Sequence, residues 1–153
     1  MKNTQSETCT EPGRSIRVLV VEDSLTARVL LVRLLEEDPD IGVVGQAAEG
    51  CQAVDMALRL RPDLITMDVI LSDMDGLEAT RRIMAQCPTP ILIVTAHADS
   101  PELNVAFEAL KAGALDVVPK PSGFGEMEDR DWGRDLVAKV KALASVRPRP
   151  VER

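Results

Sequence analysis

Five short runs of β-branched and aliphatic residues, each followed by a stretch of helical periodicity, occupy about 130 residues of this 153-residue chain, and no other feature restricts its fold so strongly. The first run, Ile16 to Val21, is apolar at every position but Arg17, the pattern of a strand buried on both faces. Ser24 can cap the next segment, in which Leu25, Val29, Val32 and Leu35 recur at helical spacing until the stripe stops before Pro39. The alternation repeats, with strands predicted at Ile41 to Val44, Leu64 to Asp68, Ile91 to Thr95 and Leu115 to Val118. Helices are predicted at Cys51 to Leu60, Leu77 to Ala85, Glu102 to Ala112 and Leu136 to Ala144. Strands joined by helical returns lie parallel with right-handed crossovers, so the pattern predicts a doubly wound α/β domain with helices on both faces of a five-stranded parallel sheet.

The balance of side chains narrows the function. Hydrophobic residues make up 45% against 28% charged, enough to bury a core. A net charge of −7 disfavours the phosphate backbone of nucleic acids as a direct partner. The aromatics are Phe107, Phe124 and Trp132, too few to build a base-stacking platform. Cys9, Cys51 and Cys87 lie far apart with no metal-type spacing, so three reduced thiols and a cytoplasmic location are expected. No run approaches the ~18 apolar residues a membrane span needs, and membrane insertion is not expected. Residues 1–15 read as a flexible leader, 16–145 as the folded domain and 146–153, with its Arg-Pro-Arg-Pro, as a linker or tail. The glycine-bearing acidic stretch Ser122 to Asp131 reads as a mobile loop.

In an open parallel sheet, ligands bind outside the carboxyl ends of the strands, where strand order switches direction. Strand one ends in Glu22-Asp23, strand three in Asp68, strand four in Thr95, and strand five just before Lys120-Pro121. Three carboxylates on one rim repel one another unless a cation neutralises them, and an all-oxygen ligand set favours Mg²⁺. A carboxylate beside a metal, with Lys120 to balance charge and Thr95 to donate a hydrogen bond, suits phosphoryl transfer in which Asp68 is the nucleophile.

Glu22-Asp23-Ser24, Asp68 with Met74-Asp75-Gly76 beyond it, Thr95-Ala96 and Lys120-Pro121 together resemble the receiver domains of bacterial two-component response regulators. The resemblance covers about residues 16–145. The stretches Ile65 to Val69, Asp75 to Met84 and Gly113 to Val118 are most similar to the receiver of the chemotaxis protein-glutamate methylesterase. The resemblance implies a flavodoxin-like sheet of order 2-1-3-4-5. It implies that Asp68 is the phosphoacceptor, charged from a histidine kinase. Mg²⁺ would be held by the side chains of Asp23 and Asp68, by the backbone carbonyl of Ile70, and by Glu22 through a water. Lys120 would pair with the phosphoryl oxygens, and the small Ala96 would leave room for Thr95 to swing toward them. The Lys120–Pro121 bond would be cis. A partner or linked output domain would be switched at the face formed by the fourth helix, fifth strand and fifth helix.

Three positions depart from the family's pattern. Val117 stands where receivers usually carry a rotating Tyr or Phe, and valine has one stiff torsion and no long lever. Ser72 replaces a frequent proline. Ile70 is aliphatic where a polar side chain can position an attacking water, so self-dephosphorylation should be slow. A stand-alone receiver in another two-component pathway is the alternative reading. A Mg-dependent phosphohydrolase is a weaker one, because Ile70 occupies the place of its usual second acid-base carboxylate. With one histidine and no G-x-S-x-G elbow, these residues carry no Ser-His-Asp machinery. Methylesterase activity is expected only of a further catalytic domain, and no turnover enzyme is expected from this chain alone.

Overall fold

The structure, a computed structural model, describes residues 15–98, 104–124 and 130–146. The expectations for residues 1–14 and 147–153, and for most of the loop after Gly123, lie outside the described residues.

Strands and helices alternate without exception: β1 (Ile16–Val21), α1 (Leu25–Glu36), β2 (Ile41–Ala47), α2 (Gly50–Leu60), β3 (Leu64–Met67), α3 (Gly76–Gln86), β4 (Ile91–Thr95), α4 (Val105–Ala112), β5 (Asp116–Pro119) and α5 (Arg130–Leu143). All strand pairs are parallel, in the order β2-β1-β3-β4-β5. This is the flavodoxin-like order anticipated above, and its direction reverses between β1 and β3.

The period-two geometry of each central strand divides its side chains between two cores. Val18, Val20, Leu64, Leu92 and Val94 face α1 and α5, meeting Leu31, Leu35, Leu136 and Val140. Leu19, Val21, Ile65, Met67, Ile91 and Ile93 face the other way, onto α2, α3 and α4 through Ala53, Ala57, Ile83, Met84 and Ala109. Full burial of each large aliphatic chain contributes about 1.5–3 kcal/mol. That gain on both faces is why these runs are apolar throughout rather than alternating.

Helix α1 corrects one expectation. Leu25 and Val29 of the predicted stripe are 63% and 55% exposed, while Ala27, Leu30, Leu31, Leu34 and Leu35 are buried. The helix carries aliphatic residues around most of its circumference, so spacing alone offers two overlapping stripes, and packing against β1 and α5 selects one. Helix α5 starts earlier than its aliphatic stripe does, at Arg130. There the Trp132 indole donates to the Pro119 carbonyl at 2.8 Å and its ring meets Phe124 edge-on. Among the described residues no helix is long and apolar enough to cross a membrane.

Candidate functional site

Backbone bonds of the sheet set the first two side chains. The Glu22 amide donates to Ala47 O at 2.9 Å and the Asp68 amide to Val21 O at 3.1 Å, which fixes both residues at the carboxyl edge where strand order reverses. Lys120 is tied to the same edge by its amide, which donates to Thr95 O at 3.0 Å. Its ammonium then reaches Glu22 Oε1 at 2.5 Å and Asp68 Oδ2 at 2.9 Å. Glu22 is 1% exposed, Asp68 6% and the Lys120 side chain 8%, so the three charges are largely withdrawn from water. The Ser24 amide donates to Glu22 Oε2 at 3.1 Å and the Arg28 guanidinium to the Glu22 carbonyl at 2.6 Å, which tightens the acidic turn. Asp23, exposed beside them, completes the set: a carboxylate oxygen from each of Glu22, Asp23 and Asp68 lies within 4.8 Å of the others.

Charge and burial pull against each other here. Burial, and after it the charge of Asp68, pushes Glu22 above its ordinary value, against the pull of Lys120 and the Ser24 amide. Burial alone would lower Lys120, but the Asp68 and Glu22 carboxylates outweigh it and hold the ammonium above its ordinary value. Lys120 offsets only one of three negative charges. A pocket of hard oxygen donors with this charge deficit fits a small divalent cation.

The loop after Asp68 is closed at its base. Gly76 N donates to Val69 O at 2.6 Å, Ile70 bridges to Asp75, and the Asp75 carboxylate caps α3 by accepting from Leu77 N at 2.7 Å. A Cβ on Gly76 would stand 1.9 Å from the Asp68 carbonyl oxygen, so only glycine lets the α3 terminus approach the Asp68 backbone this closely. The obstructing atoms are main chain, which no rotamer change can relieve. Gly76→Ala should therefore cost about 3 kcal/mol, the upper end of ordinary overpacking, read as a lower urea midpoint at unchanged slope.

The other anticipated residues are placed as follows. Thr95 is fully buried, with its hydroxyl accepting from the His97 amide at 3.2 Å. Ala96 is exposed and, with Lys120, Ser24, Ala27, Pro121 and Phe124, lines a recess of about 300 Å³. Ile70 is 46% exposed, its amide 3.4 Å from Asp68 Oδ1. Val117 is partly buried, paired with Ile93 across β4 and β5 and packed on the core, where it has no lever to swing. The expected cis bond is absent: no cis peptide occurs among the described residues, so Lys120–Pro121 is trans. The trans form is the lower-energy state of such a bond, and Lys120 reaches both carboxylates with it.

Sequence reasoning missed Asp73. Its carboxylate accepts from the amides of Gly50 at 2.6 Å and Cys51 at 2.9 Å, bonds that hold it below the usual aspartate value. An acidic residue in the loop after Asp68 reads as solvated, and nothing local to it signals a helix that starts 23 positions earlier.

Comparison with known proteins agrees with this geometry. The response regulator receiver domain model matches residues 18–130. A protein-glutamate methylesterase/protein-glutamine glutaminase of Anaeromyxobacter dehalogenans is 51% identical over 139 residues, covering 88% of this chain and 40% of that relative. The chain thus spans about two-fifths of the length of the curated relatives it matches. The response regulator domain of Thermotoga maritima CheB superposes with a TM-score of 0.80 at 36% identity, over 88% of this chain and 100% of that one. The receiver domain of a sensor histidine kinase from Pseudomonas aeruginosa, solved with a magnesium ion coordinated in its active site cleft, gives 0.70 at 29% identity over 86% of this chain and 99% of that one. With the 2-1-3-4-5 sheet and the acidic rim at its switch point, these matches make the chain a member of the response regulator receiver domain family, most like the receivers of protein-glutamate methylesterases.

Proposed function

We propose that this chain is the phosphorylation switch of a chemotaxis methylesterase, taking a phosphoryl group on Asp68 from a histidine kinase. The observation that carries this reading is the buried Lys120 ammonium shared between Glu22 and Asp68, beside the exposed carboxylate of Asp23. In the transfer, an Asp68 carboxylate oxygen attacks phosphorus, the phosphorus–nitrogen bond of the donor phosphohistidine breaks, and the imidazole leaves with the bonding pair and takes up a proton. Asp23 and Asp68 through side chains, the Ile70 carbonyl, and Glu22 through a water would hold Mg²⁺. When bound, that ion supplies neutralising charge to the phosphoryl oxygens. Lys120 balances the charge that remains, and the Thr95 hydroxyl exchanges its bond from His97 for one to the new phosphate.

The output contact is assigned to the face of α4, β5 and α5. Phe107 and Leu110 of α4 are 56% and 60% exposed, and Lys111 lies 5.3 Å above the Phe107 ring, giving an apolar surface with a cationic edge. The methylesterase relatives extend well beyond the region matched here, and the remainder of such a protein is the occupant this face would dock.

Incubation with Mg²⁺ and acetyl phosphate, followed by intact mass measurement, tests the reading. One phosphoryl group per chain is expected, with a lifetime that shortens in Ile70→Asn, where an amide can orient the attacking water. Continuous release of phosphate over many turnovers would instead favour a phosphohydrolase.

A further inference from the structure

Helix α2 lacks a cap of its own. Its N-cap residue, Glu49, makes no side-chain capping bond, so the first amides of the helix need acceptors from elsewhere. Asp73 provides both, one carboxylate oxygen to Gly50 N and the other to Cys51 N, at the short distances of charge-assisted bonds. The next residue reinforces the join. A Cβ on Gly50 would fall 2.3 Å from Met74 Cγ, so Met74 packs directly on the first turn of α2 in space that glycine leaves open.

These residues belong to the loop that starts at the acceptor. Its base is closed by the Gly76–Val69 bond. Its outer side is held by Asp73 and Met74 on α2, and Ile70 sits between the two anchors. The bond from the Ile70 amide to Asp68 Oδ1, at 3.4 Å, is too long to position that backbone by itself.

We propose that Asp73 is a positioning residue for the chemistry at Asp68: by gripping the N-terminus of α2 from outside the helix, it holds the acceptor loop, and the Ile70 backbone within it, in place beside the carboxylates. This rests on the phosphoacceptor reading given above. Supports of this kind are where metal sites gain much of their affinity, because they fix the ligand before the ion arrives.

A cap could stabilise α2 without serving the site, and Gln52 separates the two roles. Its side-chain carbonyl accepts from the Ala48 amide at 3.1 Å, a bond at the same helix end with neither partner in the acceptor loop. The experiment compares the wild-type chain with Asp73→Ala, Asp73→Asn and Gln52→Ala. Mg²⁺ affinity is read by calorimetric titration, and hydrogen exchange of the Gly76 amide is read without metal. Asp73→Ala should bind Mg²⁺ about tenfold more weakly, the low end for loss of a supporting bond, and should exchange faster at Gly76. Asp73→Asn keeps one accepting oxygen but turns an NH2 group toward the second helix amide, and should fall between the wild type and Asp73→Ala in both values. Gln52→Ala should match the wild type in both while melting lower. The proposal fails if Asp73→Ala keeps wild-type affinity and exchange, or if Gln52→Ala loses as much as Asp73→Ala. A wild type that binds no Mg²⁺, yet whose Gly76 exchange still depends on Asp73, would overturn the phosphoacceptor reading and support the anchor.

Discussion

Asp68→Asn is expected to abolish phosphoryl uptake altogether, leaving the intact mass unchanged after acetyl phosphate and Mg²⁺ while the wild type gains one group per chain. The substitution is nearly isosteric, so the loss is chemical. A carboxamide oxygen carries no full negative charge and forms no acyl phosphate, and a neutral side chain is a weaker cation ligand. The surroundings of Asp68 add a second readout. Its Oδ2 accepts from Lys120 and its Oδ1 faces the Ile70 amide, so both oxygens meet donors. An amide offers one acceptor and one donor group, and satisfies only one of these neighbours. Its charge is also the second cause, after burial, of the raised Glu22 value. In Asp68→Asn, Glu22 should therefore titrate closer to an ordinary glutamate, as carboxyl chemical shifts followed against pH would reveal. A mass gain that survives in Asp68→Asn would transfer the acceptor role to another residue.

Lys120→Met is expected to destabilise the fold by about 3 kcal/mol at neutral pH, the lower end for breaking a buried ion pair, because the recess beside Lys120 admits water. For a domain of this size that is roughly 10 °C in melting temperature. The methionine fills the space of the lysine stem, but Glu22 and Asp68 are left as neighbouring buried carboxylates with no cation between them. The pH dependence has a definite sign. Glu22 is raised in the folded state, so the unfolded chain releases its proton first and stability falls as pH rises from the ordinary glutamate value of 4.5 through the folded one. Without Lys120 that fall should be deeper, and it should vanish below pH 4.5, where Glu22 is protonated in both states. Lys120 is raised too, so its own contribution is complete below its ordinary value of 10.5 and is lost only as pH climbs through the folded value above it. Melting curves of both proteins between pH 4 and pH 9 should therefore diverge upward in pH. Mg²⁺ should restore part of the loss in Lys120→Met. Curves that stay parallel across this range would mean that Lys120 does not neutralise the carboxylates.

Much of this molecule is legible from its residues taken in order. The apolar runs of β1, β3 and β4 and the helical stripes between them are local patterns. Period two and period 3.6 are imposed by the backbone before any tertiary contact forms, so the doubly wound architecture and the strand ends could be read directly. Glu22, Asp23, Asp68 and Lys120 were legible for the same reason, because a residue that ends a parallel strand lies on the rim where such sheets bind ligands. What the linear order left open depends on distances between remote residues. Lys120 meets Glu22 across 98 positions, and Asp73 caps a helix 22 and 23 positions before it. Helix α1 offered two aliphatic stripes, and only contact with β1 and α5 selected the one that is buried. The chain's own pattern thus determined which elements form and which residues stand at their ends. Tertiary structure alone decided which helix face is covered, which amides Asp73 grips and where the Lys120 ammonium rests, because each depends on the fit between surfaces that meet only once the sheet is assembled.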